Sequence, residues 1–186
     1  MKERMNMKLR TLILAISLVF GVSTSLFAQP AAVKKAADAA FTLTTFKADG
    51  SILATSNGVC ISTDGIAVSP WKPFIGADKA VIVDSKGQKH DVECLLGANE
   101  IYDIAKFQVS GKTAAAPLAT TVSAGDEVWL TPILKSGNAE KANVTSVEKF
   151  MDKYNYAILS SSATDKMNGV PVFDEKGQVI GLYNKS

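Results

Sequence analysis

Hydrolytic and redox chemistry need nucleophiles, bases or metal ligands, and this chain is sparing with all three. Its thiols are Cys60 and Cys94, its one imidazole is His90, and Ser160, Ser161 and Ser162 form a run of three hydroxyls. Each cysteine lies inside an apolar, strand-like run, Gly-Val-Cys-Ile-Ser and Val-Glu-Cys-Leu-Leu. Two buried free thiols, packing as small apolar groups, are favoured over a disulfide. Two cysteines alone carry little framework information, although export would permit the bond. His90 has no partner at ligand spacing, so no metal or other cofactor is expected. Cys60 and His90 would make a thiol–imidazole pair, but they fall on different expected strands.

The elements that must position these groups begin after a leader. Residues 1–28 carry Lys2, Arg4, Lys8 and Arg10, then the apolar run Leu12 to Phe20, then small residues ending in Ala28. That order is a secretory signal peptide, with cleavage expected near Ala28/Gln29. The apolar run is short of the ~20 residues a membrane span needs. With the leader removed, 16 bases and 17 acids remain, and every base is lysine. Nucleic-acid sites favour arginine forks on a basic patch, so no nucleic-acid partner is expected. No second apolar run is long enough to span a membrane. The expected location is the periplasm or cell surface of a bacterium.

Residues 29–40 are alanine-rich and fit a short helical or irregular segment. Beyond them the pattern is all-β. Short runs of Val, Ile, Thr and Phe are punctuated by glycine turns at Gly50, Gly65, Gly87, Gly111, Gly125, Gly137 and Gly177. The division expected is a first β-barrel over 41–112, a connection over 113–121 and a second barrel over 122–186.

Four segments carry a family resemblance. The run Asp165-Lys-Met-Asn-Gly-Val-Pro-Val-Phe-Asp-Glu-Lys-Gly-Gln-Val-Ile-Gly-Leu-Tyr is similar to the nucleophile loop and following hairpin of trypsin-like serine proteases. Gly58 to Ser69 resembles the hairpin that leads to the catalytic histidine in the Deg-type (HtrA) branch. Tyr102-Asp103-Ile-Ala-Lys-Phe-Gln-Val resembles the strand behind the triad aspartate. Ala124-Gly125-Asp126-Glu-Val-Trp-Leu resembles the strand that opens the second barrel. The resemblance covers roughly residues 41–184. It implies a trypsin-like double β-barrel with a degenerate triad: Lys72 at the histidine position, Asp103 at the aspartate and Asn168 at the serine. The oxyanion-hole positions are then Lys166 and Asn168.

Acyl transfer by that machinery needs a nucleophilic oxygen, an imidazole to take its proton and a carboxylate to orient the imidazole. An asparagine amide is no nucleophile at neutral pH. A lysine accepts a proton only after losing one, ordinarily near pH 10.4. The family has glycine where Lys166 stands, and a side chain resists the backbone conformation that turns an amide inward. Loss of nucleophile or base costs about six orders of magnitude in a comparable hydrolase. The resemblance thus implies an inactive protease homologue, a binding or scaffold module for protein or extended peptide. One alternative is a weak endopeptidase with a non-standard nucleophile, such as a Ser160–Ser162 hydroxyl beside Lys72 or Lys166. Another is a structural β-module of an envelope assembly.

Three further expectations follow. Lys72 either pairs with a buried Asp103 and locks the cleft, or is turned to solvent by Pro70 and Pro73, which would disrupt the short helix there. Trp71 and Phe74 form barrel core or, if exposed together, an apolar binding patch; Trp129 and Phe150 are the other large aromatics worth following. The chain stops at Ser186, just after a hairpin strand, so the second barrel is expected to be incomplete. An open edge would then favour an edge-strand dimer, unless further C-terminal domains follow in a longer product.

Overall fold

The computed structural model describes residues 29–131, 139–161 and 163–185. The expected leader over residues 1–28, the Gly137 turn, Ser162 and Ser186 lie outside the described residues. A short helix, α1 (Ala31–Ala36), leads into eleven strands. Strands β1 (Ala40–Phe46), β2 (Ile52–Cys60), β3 (Ile66–Ser69), β4 (Lys79–Asp84), β5 (Lys89–Asn99) and β6 (Ile104–Val109) close into a barrel of order β1-β2-β3-β6-β5-β4. Strands β7 (Glu127–Leu130), β8 (Glu140–Phe150), β9 (Tyr154–Leu159), β10 (Pro171–Asp174) and β11 (Val179–Leu182) form a second sheet of order β11-β10-β7-β8-β9. All the pairings between these strands are antiparallel.

Alternation along each strand builds the barrel core. Phe41, Leu43 and Thr45 of β1 point in, as do Ala105, Phe107 and Val109 of β6. The period of two places every second side chain on one face. Phe41 meets Phe107 edge-on at 6.0 Å, and Phe74 lies 5.2 Å from Phe107. The second sheet is apolar on both faces at its centre. Val128, Leu130 and Val172 face its own core, whereas Trp129 and Phe173 face the first barrel. There they join Val33, Ala36 and Ala39, so the alanine-rich segment is part of the core between the two halves.

The turns follow the glycines. Gly50, Gly65, Gly87, Gly111, Gly125 and Gly177 all have positive φ. The connection between the halves is more than a linker. Leu118 makes a parallel bridge to Val179, with Ala119 N–H donating to Val179 O and Val179 N–H donating to Pro117 O. This covers part of the β11 edge, while β9 forms the other end of the sheet.

The cysteine expectation needs correction. Cys60 is buried but Cys94 is exposed, and both are free thiols. A bulge between Val92 and Cys94 breaks the alternation that would have carried Cys94 inward. Among the described residues, no helix is long and apolar enough to cross a membrane.

Candidate functional site

A cleft of about 440 Å³ opens where the halves meet, and Lys72, Asp103, Lys166 and Asn168 all line it. Thr42, Thr55, Ser56, Asn57, Pro70, Pro73, Gly169 and Asn184 complete the wall. The residues singled out from the sequence thus converge on one place from three separate segments.

Asp103 is the best-anchored group. It follows the turn after β5, with φ of +52°, a conformation rare outside glycine. Its Oδ1 accepts from the backbone N–H groups of Trp71 (3.0 Å) and Lys72 (2.8 Å). Those amides begin the 3-10 turn Lys72–Phe74, so the carboxylate caps that turn. The prolines do not disrupt it: Pro73 sits in the first turn, where a missing N–H is no loss. Lys72 Nζ lies 3.7 Å from Asp103 Oδ2, but the lysine side chain is 75% exposed against 14% for the aspartate. The pair forms at the cleft mouth and is no buried lock. The backbone amides, more than the ammonium, compensate Asp103.

On the opposite wall, residues Asp165–Met167 wind into a 3-10 turn, closed by Met167 N–H donating to Thr164 O and followed by Val170 N–H donating to Met167 O. Lys166 takes no left-handed conformation there. Asn168 Oδ1 accepts from Lys185 N–H at 2.8 Å, which ties the loop to the strand end beyond β11. Gly169 N–H donates to Tyr183 O at 2.8 Å. Gly169 has φ of +81°, and a Cβ there would stand 2.5 Å from Asn57 O and 2.8 Å from the Pro70 ring. Only glycine fits this contact between the two walls.

Asn57 is the residue that sequence reasoning missed. From β2 its Nδ2 donates to Asn168 O (2.9 Å) and Lys166 O (3.3 Å), pinning the loop of one half onto the barrel of the other. The faint signal was an asparagine inside a strand, where its β propensity is poor.

The other candidates lie elsewhere. Ser160 Oγ accepts from Asn143 N–H, and Ser161 Oγ donates to Glu140 and accepts from Ala163 N–H. Neither lines the cleft. His90 is buried, with Nδ1 donating to Ser110 O at 2.8 Å and Nε2 3.5 Å from Asp84 Oδ2. Burial pushes the Cys60 thiol up to about 11, which leaves little thiolate for chemistry at neutral pH. Phe74 is core, and Trp71 stacks on it at 6.3 Å, so the two form no exposed patch. Trp129 is buried and Phe150 exposed. Among the described residues, no group of three or more His, Cys, Asp or Glu side chains is placed to hold a metal ion.

No protein-family model matches the chain, and no curated protein matches its sequence. Among solved structures it is similar to an HtrA-type protease, AlgW with a tripeptide, at a TM-score of 0.68 and 18% identity. The match covers 81% of this chain and 52% of that one, so this chain spans about half the length of the protease it resembles. With a closed six-stranded barrel and a curled five-stranded sheet beside it, the chain has the trypsin-like fold of an HtrA-type protease, the second barrel left incomplete.

Proposed function

We propose that this protein is an exported, catalytically inactive homologue of trypsin-like proteases that binds an extended peptide or protein in the cleft between its halves. One observation carries the reading: Lys72, Asp103 and Asn168 line a single cleft, in a fold shared with a protease. The carboxylate keeps two backbone hydrogen bonds there, yet the groups around it supply neither an imidazole nor, at Asn168, a nucleophile. The Asn168 side-chain oxygen Oδ1 accepts from Lys185 N–H, which suits a fixed wall better than a reacting group. Export is supported by the leader over residues 1–28.

The test is hydrolysis of unfolded casein by the purified protein and by an Asn168→Ser, Lys72→His double variant. No hydrolysis by the unaltered protein, together with casein retention on a column of it, supports the proposal. Hydrolysis by the double variant alone would add that the register is right and only the triad is missing. Hydrolysis by the unaltered protein would overturn it.

A second reading has one observation in its favour. Ser56 lines the same cleft as Lys72 and Lys166, so a serine hydroxyl and two amines share one cavity. Labelling of Ser56 by a fluorophosphonate, lost in a Ser56→Ala variant, would establish that weak hydrolase. An unlabelled protein removes it.

A further inference from the structure

The cleft carries a chemical preference of its own. Its charged residues are Lys72, Lys166 and Asp103. Asp103 is already met by two amide N–H groups and by Lys72. Lys166 makes no ion pair with any described residue. Because Asn168 Oδ1 is held by Lys185 N–H, the other end of that amide is its NH₂ group, and it donates to no described residue. Thr42, Thr55 and Ser56 add hydroxyls to the wall. The balance is one net positive charge with spare donors. Spare donors beside ammonium groups match a carboxylate, which only accepts.

We infer that the occupant of the cleft is an acidic peptide segment, whose carboxylate is met by the Lys72 and Lys166 ammonium groups. This rests on the binding-module reading above and names its ligand class. The cavity volume falls in the range of ordinary ligand pockets, enough for a few residues of peptide. Lys72 and Lys166 are exposed, so the attraction falls with salt.

The experiment is a polarisation titration with a short fluorescein-labelled peptide carrying two glutamates and its twin carrying glutamines. The glutamate peptide binds about tenfold tighter at low salt, in line with a charge-assisted hydrogen bond. Lys166→Gln and Lys72→Gln each weaken it by about three- to tenfold and affect the glutamine twin less. Lys34→Gln, on α1 and away from the cleft, has no effect. Asp103→Asn keeps an oxygen for the two amides, removes the only carboxylate among the described residues that line the cleft, and tightens the glutamate peptide by about threefold. A merely structural role for Asp103 would not tighten binding. Equal affinity for the twins, or indifference to both lysine substitutions, overturns the acidic assignment while leaving a peptide-binding module standing. Binding of neither twin overturns the acidic assignment, and casein retention then decides separately whether the cleft binds peptide at all.

Discussion

At the scale of single residues, Asp103 and Lys72 look like equal partners in sequence and are not so in the fold. Asp103 is largely enclosed and holds two backbone amides; Lys72 is exposed and approaches one oxygen at 3.7 Å. An exposed ion pair contributes under about 1 kcal/mol. A hydrogen bond to a charged group contributes about 1.5–3 kcal/mol. Lys72→Ala is therefore expected to change unfolding free energy by less than about 1 kcal/mol, and Asp103→Ala to cost about 2 kcal/mol or more. Urea unfolding of the two variants checks this, and equal losses would restore the buried-lock arrangement. The same contrast explains why Asp103 tolerates positive φ: the amides it binds hold it in place.

At the scale of elements, the hairpin β8–β9 shows where local strain sits. Its register runs from Val144↔Leu159 to Phe150↔Tyr154, and its tip places Met151 and Asp152 at φ of +54°. Both positions suit glycine or asparagine far better than methionine. Met151 is 70% exposed and has little packing to lose. Met151→Gly should stabilise the protein by about 0.5–1 kcal/mol, the relief of left-handed strain less glycine's entropy cost. A calorimetric melting temperature that falls in the variant would refute this and point to a contact made by the Met151 side chain. The Lys72–Phe74 turn makes a complementary point: prolines at its start are harmless because a carboxylate from a distant loop receives its amides.

At the scale of the whole molecule, three cores hold two halves together, and the middle one takes Val33 and Ala36 from α1, Val59 from the barrel and Trp129 and Phe173 from the open sheet. Global stability should therefore report on any buried titrating group. Cys60 is one: burial raises its thiol from the ordinary 9.0 to about 11. The folded protein keeps the proton that the unfolded chain gives up first. Its contribution is full below about pH 9 and is lost as pH rises through about 11, amounting to about 2–3 kcal/mol. Cys60→Ala should flatten that part of the alkaline limb in guanidinium unfolding. An unchanged slope between pH 9 and pH 11 would mean that Cys60 titrates no differently in the two states. Cys94 is exposed where Cys60 is buried, and it reacts first with a thiol reagent.

The sequence by itself determined the strands and their turns. Alternation in Ala40–Phe46 and Ile104–Val109, and glycines at 50, 65, 87, 111, 125 and 177, are local signals, and local signals suffice for a period of two and a positive φ. It also placed Lys72, Asp103, Lys166 and Asn168 as one group, because motif order along the chain resembled a known double barrel. Tertiary structure alone decided what each of them touches. Asn57 reaches the Asn168 carbonyl across 111 residues of chain, the Cys94 side chain turns outward at a bulge, and Leu118 pairs with Val179. No local pattern encodes such contacts, since each exists only when two closed or curled sheets press together and their remaining polar groups find partners across the seam.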